Sequence, residues 1–364
     1  MSFLSNLKCM LFSKKFPMVA VDISDTSIEL LQLTAGGKLP KIKAYTRKNI
    51  PSNLIDGGKI MNLDKLAEHL KKAFEQSKDK FSNNSCLLSL PDQNVYFTIF
   101  KIKKDIKEID QTIYNLASQK LPIDLDHSYF DYLVTDEKNK EIFLAAAAEQ
   151  ESVDQYIELF KKADLNLEVI DIESACLARS LLTQKDLETP TFILDIGARK
   201  TDIILVDQKG FRDQIDLPVA GNLLTSIIAK KLKLTNKQAE KLKREEGLLI
   251  KKDDLGKELA QQFDLVFAEI EKMCNNYTRK TEKKVNKIIM VGGSSLLKGL
   301  DEYIKKNYSQ YKVVKGSPEK KVSMPAKIFK VDKVFYCNVI GLALRGLNQD
   351  SCAKGLNLIK SLKK

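Results

Sequence analysis

Tryptophan is absent from the 364 residues, and histidine occurs only as His69 and His127. Six cysteines (Cys9, Cys86, Cys176, Cys274, Cys337, Cys352) are scattered, and none forms a Cys-x-x-Cys pair. With so few soft ligands a zinc site is not expected. Cys86 and Cys176 lie in apolar runs and read as small buried hydrophobes, and the compartment is expected to be reducing. No apolar run approaches the ~18 residues that a membrane helix needs, and the longest, Ile142 to Ala148, falls far short. A polytopic membrane protein is excluded. At 43% apolar and 30% charged residues, so are a disordered chain and a fibrous repeat.

Charge is plentiful and uneven. Sixty Lys and Arg face 48 Asp and Glu, a formal charge of +12. Residues 230–257 and 298–333 are basic, whereas 100–175 is acidic. The basic stretches lack the interleaved aromatics of a single-strand binding groove, so they read as solvated surface and no nucleic-acid partner is expected. In the first 17 residues Phe3, Leu4, Leu7, Met10, Leu11 and Phe12 recur at helical spacing among lysines. No small-residue cleavage site follows, so this is expected to be a short amphipathic or terminal helix and not a signal peptide.

One unit occurs twice. Met18 to Asp22 is an apolar strand ending on an acid; Ser24 to Ser27 is a polar turn; Ile28 to Leu33 returns as a strand. Phe192 to Asp195 repeats the pattern, with the turn Ile196 to Thr201 and the return strand Ile203 to Val206. Between the copies, the order strand–helix–strand–strand–helix–strand from Val95 to Ile170 suggests a small inserted α/β domain. Residues 222–283 are helical and charged. Ile288 to Val291 is a strand that enters Gly292-Gly293-Ser294-Ser295, and a helix covers Val339 to Leu347.

A strand that delivers an aspartate into a turn of small residues suits phosphate and metal chemistry. Backbone N–H groups and hydroxyls face anionic oxygens. The carboxylate holds Mg²⁺, usually through water. Two facing turns can clamp a polyphosphate, and a Gly-Gly turn lets a flat base approach the backbone.

These motifs, in this order, resemble the ATPase fold of actin, Hsp70 and the sugar kinases. The likeness is strongest to the PilM family of type IV pilus assembly proteins, itself similar to the division protein FtsA. The first phosphate loop is matched by Asp22 to Glu29, the second by Asp195 to Thr201, and the adenosine motif by Val291 to Ser295. Ala220 to Thr225, Gln238 to Gly247, Asp171 to Ala175 and Ile340 to Leu347 resemble further family segments. The resemblance implies an α/β, two-lobed fold with an inserted subdomain of the FtsA and PilM type (SHS2-like). The implied divisions are 1–17, lobe I at 18–91, the insert at 92–170, a connector at 171–189, lobe II at 190–333 with its outer helical part at 222–285, a returning helix at 334–348 and a tail at 349–364.

The resemblance also implies ATP and Mg²⁺ as cofactors. Asp22 and Asp195 would hold the metal waters. Thr26, Ser27, Gly197, Ala198 and Thr201 would line the phosphates. Gly221, Glu240, Lys243 and Arg244 would meet ribose and adenine, with Gly292, Gly293 and Ser294 beneath the base. Glu173 would orient the attacking water. The implied partner is the cytoplasmic tail of a PilN-like inner-membrane protein, and the implied location is cytoplasmic and peripheral to that membrane. Such tails carry an Asn-Leu-Leu-Pro type peptide, which Leu356-Asn357-Leu358-Ile359 resembles. If that peptide docks on a neighbouring copy, head-to-tail association is expected.

The first loop departs from the family pattern. Ser24 replaces a glycine, Asp25 a serine and Glu29 a lysine. An anion in place of a cation beside phosphate costs up to ~4 kcal/mol at an effective dielectric near 20, roughly a thousandfold in affinity. Weakened nucleotide binding and slow or absent turnover are expected, and Glu29→Lys is expected to tighten Mg-ATP binding if the side chain faces the phosphates. An FtsA-like division protein would need a long amphipathic helix at the end, and a small-molecule kinase a substrate-site signature. Neither is evident here.

Overall fold

A computed structural model describes residues 17–103, 106–135, 141–183, 185–325, 333–347 and 355–360. The expected N-terminal helix and most of the 349–364 tail lie outside these residues. In chain order, β1 (Val19–Ile23), β2 (Ser27–Thr34) and β3 (Lys41–Asn49) form an antiparallel meander. The short pair β4 (Ile55–Asp56) and β5 (Lys59–Ile60) and the helix α1 (Leu63–Glu75) lead to β6 (Ser85–Leu90), which lies parallel to β1. Asn62 starts α1 by accepting the Lys65 N–H at 3.0 Å, and Leu66, Ala67, Leu70 and Ala73 give it a buried face.

Next come β7 (Tyr96–Lys101), α2 (Ile109–Lys120), β8 (Ser128–Val134), β9 (Ile142–Glu149), α3 (Gln150–Lys162) and β10 (Asn166–Ile172). The chain continues through α4 (Glu173–Leu181), β11 (Thr191–Ile196), β12 (Thr201–Asp207) and β13 (Gly210–Leu217). The helices α5 (Gly221–Leu232), α6 (Asn236–Glu246) and α7 (Leu255–Thr281) precede β14 (Lys287–Val291), α8 (Leu300–Asn307), β15 (Lys312–Lys315) and α9 (Cys337–Arg345).

The strands form two five-stranded sheets with one pattern. In order β3-β2-β1-β6-β10 and β13-β12-β11-β14-β15, three antiparallel strands are followed by two parallel ones. The repeated strand–acid–turn is thus the centre of a repeated sheet. Central strands covered on both faces need continuous apolar runs, and β1 is buried at all five positions.

The three-stranded sheet β7-β9-β8 carries α2 on one face, through Ile113 and Ala117 against Phe143, Ala145 and Ala147. Its other face, Leu144, Ala146 and Ala148, joins the core of the first sheet. The sequence order puts α3 and β10 in the inserted unit, but their partners lie elsewhere. β10 pairs in parallel with β6, and the buried face of α3 (Val153, Tyr156, Leu159, Phe160) packs into the first-sheet core. Apolar periodicity reveals that a strand exists, not which edge it joins. Three further elements carry little sequence signal. β13 contains Arg212, Asp213, Gln214 and Asp216, β15 has four residues, and α8 has eight.

α4 and α9 cross in direct contact. A Cβ on Gly341 would collide with the Cys176 carbonyl. Arg179 Nη1 donates to the Gly341 carbonyl at 2.8 Å. Fully buried Asp171 takes ion pairs from Arg179 at 2.9 Å and Arg345 at 2.8 Å. Burial alone would raise its pKa, but the two guanidiniums outweigh it and hold the carboxyl below its ordinary range.

Candidate functional site

The first turn links β1 to β2 and satisfies its own amides. Ser24 N–H donates to the Ser27 carbonyl at 2.9 Å. The N–H groups of Thr26 and Ser27 donate to Ser24 Oγ at 3.4 and 3.1 Å. The serine that replaces the family glycine therefore accepts the bonds a phosphate would accept. Asp25 forms an ion pair with Arg199 of the second turn, and Arg199 also pairs with Asp56, so both contacts cross from one sheet unit to the other.

Glu29 faces neither solvent nor open space. It is 4% exposed, lies directly opposite Asp22 in the β1–β2 register, and accepts from Ser27 Oγ at 2.8 Å and Arg47 Nε at 2.7 Å. Arg47 stands opposite Glu29 on β3 and lies 4.2 Å from the centre of the Phe335 ring. The cation missing from the first loop is thus present one strand away.

The second turn is built from backbone. Gly197 N–H closes on the Lys200 carbonyl at 3.0 Å. The Gly197 carbonyl accepts from Gly221 N–H at 3.1 Å and Ser294 Oγ at 3.0 Å, and the Ala198 carbonyl accepts from Asn222 N–H at 2.7 Å. Gly292, at φ 79°, lies against the Asp195 carboxylate, where a Cβ would collide. Gly197, Ala198, Asp195, Gly221, Gly292 and Ser294 are therefore brought together. Thr201 is fully buried, and its hydroxyl donates to the Val219 carbonyl at 2.5 Å.

Carboxylates gather between the turns. Asp195 lies opposite Asp202 in register, as Asp22 lies opposite Glu29. Burial pushes Asp22 and Asp195 up to about 6, and Glu29 and Asp202 up to about 7. Lys200 answers Asp202 at 2.7 Å. Glu173, the first residue of α4, accepts the Asp92 N–H at 3.1 Å. Burial first, then the charges of Asp92 and Asp22, drive it well toward its neutral form. Asp92 in turn accepts from Gln214 Nε2 of the second sheet at 2.8 Å.

Three buried acceptor oxygens in this region, Asp92 Oδ1, Gln214 Oε1 and Asn338 Oδ1, have no donor. Ser89 Oγ donates to Asp22 at 3.2 Å, and Asn338 Nδ2 donates to Ser89 at 3.0 Å. Orphaned acceptors beside proton-hungry carboxylates fit a hydrated divalent cation, which supplies water O–H donors and positive charge. No group of three or more His, Cys, Asp or Glu among the described residues could hold a metal directly. The first turn does not fit phosphate in the same way. Its amides are taken by Ser24, and Arg199 is taken by Asp25 and Asp56.

On the adenosine side, Lys243 Nζ donates to the Gly221 carbonyl and Thr225 Oγ1, both at 2.9 Å, and pairs with Glu240 at 2.6 Å. Glu240 also takes Arg244 at 2.7 Å. Burial raises its pKa, but bonds from Lys243, Thr225 and Arg244 outweigh that and lower it. A Cβ on Gly293 would lie 3.0 Å from the Phe335 ring, so a protein aromatic flanks the Gly-Gly turn. Thr26 is exposed and Ser27 buried. Sequence reasoning missed Arg47 and Gln214 on the edge strands β3 and β13, Asp202 on the inner strand β12, Asp92 just after β6, and Phe335 and Asn338 near the end of the chain's described fold. A concavity of about 690 Å³ lined by Leu63, His127, Glu149, Glu151, Asp154 and Glu158 contains none of the cleft residues.

Known proteins share this architecture. A solved PilM–PilN type IV pilus biogenesis complex matches with a TM-score of 0.73 at 19% identity, covering 92% of this chain and all of that one. MreB 5 of Spiroplasma citri bound to AMPPNP matches with a TM-score of 0.54 at 14% identity, covering 94% and 98%. The fold is therefore that of the actin-like ATPases. In sequence, the cell division protein FtsA of Pseudomonas aeruginosa is 21% identical over 255 residues, which are 62% of this chain and 60% of that relative. The chain thus spans less than two thirds of FtsA. The family model described as type IV pilus assembly protein PilM matches residues 20–347, through both strand–acid turns and α9, and the chain belongs to that family.

Proposed function

We infer that this PilM-family chain is a scaffold of the pilus assembly platform, lying at the inner-membrane surface and binding the cytoplasmic tail of a PilN-like membrane protein. The family match and the PilM–PilN complex among its structural neighbours support that reading. No helix of the described residues is long and apolar enough to cross a membrane.

One observation carries the reading of the nucleotide site: the first turn is closed on itself by Ser24 and tied across the cleft through Asp25 and Arg199. Asp22 and Asp195 would hold a hydrated Mg²⁺. The second turn, with Gly221, Glu240, Lys243, Arg244 and Gly292 to Ser294, would hold the nucleoside side of ATP. When bound, Mg-ATP would supply charge that bridges the two sheets. Glu173, which burial favours in its neutral form, would have to lose its proton before it could accept one from an attacking water, and the self-closed first turn suits weak nucleotide binding.

Calorimetry of Mg-ATP with the native protein tests the nucleotide reading. Millimolar or absent binding is expected; micromolar binding with steady hydrolysis would overturn it. Capture of the chain by an immobilised PilN-like tail peptide tests the partner reading, and failure to bind in either the presence or absence of nucleotide would overturn it.

A further inference from the structure

β10 is the outer strand of the first sheet, and an edge strand presents unpaired backbone groups. Here that edge is covered by residues 355–360. Leu358 N–H donates to the Ile170 carbonyl at 3.0 Å. Asn357 reads the same edge with its side chain. Its Oδ1 accepts the Ile170 N–H at 3.1 Å, and its Nδ2 donates to the Glu168 carbonyl at 3.3 Å. Asn357 N–H donates to Asp131 of β8 at 2.8 Å, and Arg345 donates to the Leu356 carbonyl. Leu356 and Leu358 are fully buried and Ile359 is 3% exposed, all within the first-sheet core. Lys360 closes the segment with an ion pair to Asp131 at 3.6 Å.

The segment is a turn and not an added strand: Lys360 N–H closes on the Asn357 carbonyl at 2.9 Å, and one backbone bond and the Asn357 amide tie it to β10, with the apolar side chains set into the core. The pattern read is apolar-Asn-apolar-apolar. An aspartate at 357 could not donate to the Glu168 carbonyl, and a polar residue at 356 or 358 would be buried without a partner. In this structure the segment docks within its own chain.

We propose that the groove made by the β10 edge, Asp131 and Arg345 is an exchangeable peptide-docking site, with residues 355–360 as its own intramolecular occupant, and that a partner tail of the same apolar-Asn-apolar-apolar pattern binds by displacing it. This deepens the partner reading above and rests on it for the identity of the incoming tail. The occupant sets the threshold for binding. If it fills the groove about nine-tenths of the time, it weakens an incoming peptide roughly tenfold. Partner capture is then coupled to release of a segment that spans β8 of the insert, β10 and the end of α9.

The test uses the full chain and a fluorescent peptide of sequence Gly-Leu-Asn-Leu-Ile-Lys, read by anisotropy. The Asn357→Asp chain, whose own segment is weakened, is expected to bind the probe up to about tenfold more tightly than native protein. A probe carrying Asp for Asn is expected to bind neither. Equal affinity of both chains for the probe would overturn the proposal. Should Asn357→Asp fail to fold, hydrogen exchange on native protein decides. Saturating probe is expected to abolish protection of the Leu358 amide, and unchanged protection would overturn it. A PilN-like tail that binds while Leu358 stays protected would sink the displacement model and leave the partner reading standing. A probe that displaces the segment where a PilN-like tail does not would sink the partner reading and leave the groove standing.

Discussion

The two strand–acid turns share one plan and differ in what fills it. In both, an aspartate near the end of the outgoing strand faces an acid on the returning strand: Asp22 opposite Glu29, and Asp195 opposite Asp202. Like charges opposite one another destabilise a sheet unless neutralised. Each half does so with its own cation, Arg47 on β3 in the first and Lys200 within the turn in the second. Beyond that the halves diverge. The second turn uses glycine and backbone, and spends its carbonyls on gripping Gly221, Asn222 and Ser294. The first turn uses side chains and closes on itself. Glu29 is an oddity beside the family pattern but matches Asp202 in this chain's own repeat.

The largest expected effect tests the backbone-built half. Gly292→Ala adds a Cβ at φ 79° against Asp195 and the Ile196 carbonyl. It is expected to cost about 2–5 kcal/mol in urea unfolding, from left-handed backbone strain plus overpacking. A loss below 1 kcal/mol would mean that the second half is no more tightly packed than the first.

Next is pH. The raised pKa values of Asp22, Asp195, Glu29 and Asp202 mean that the folded state binds protons that free carboxylates have already lost. Their contribution is complete below pH ~4 and is lost as pH rises through 6 to 7. Stability is expected to fall across that window. Asp22→Asn and Asp195→Asn should each flatten the curve, and Mg²⁺ should restore part of the loss at pH 8. A flat melting profile in the native protein would contradict the buried-acid picture.

A smaller effect separates the two turns. Asp25→Ser leaves Arg199 paired with Asp56 alone and removes an anion from the cleft. Calorimetry is expected to show Mg-ATP binding about tenfold tighter, near 1.4 kcal/mol. Unchanged affinity would show that the first turn is not what limits binding. Smallest is Ser24→Ala, which deletes the acceptor for two turn amides and is expected to cost about 1 kcal/mol in thermal unfolding. A neutral result would mean that water replaces the hydroxyl at no cost.

The repeated core was legible because its signals are local. An apolar run, an acid, a small-residue turn and a returning strand lie within 16 residues from Met18 to Leu33, and the same order recurs from Phe192. What escaped is set by topology. Arg47 meets Glu29 because β3 lies beside β2, Arg199 reaches Asp25 across 174 positions, and Gln214 reaches Asp92 across 122. No spacing rule announces such pairs. The placement of β10 escaped for a related reason: its apolar residues fit either neighbouring sheet, and only the parallel register with β6 decides.

The way α9 and residues 355–360 pack has a consequence measured in time. Cys337, Leu356, Leu358 and Ile359 share a core with Val19, Val21, Leu88 and Ile170, whereas the strands of the second sheet all lie between 191 and 315. At ~5–20 residues per second, a ribosome takes roughly ten to thirty-five seconds to pass from the end of β10 to the end of α9. Throughout that interval the half of the protein made first lacks its closing helix, and the β10 edge has no cover. The half made later can complete its own sheet first, so the newborn chain is finished from the middle outward.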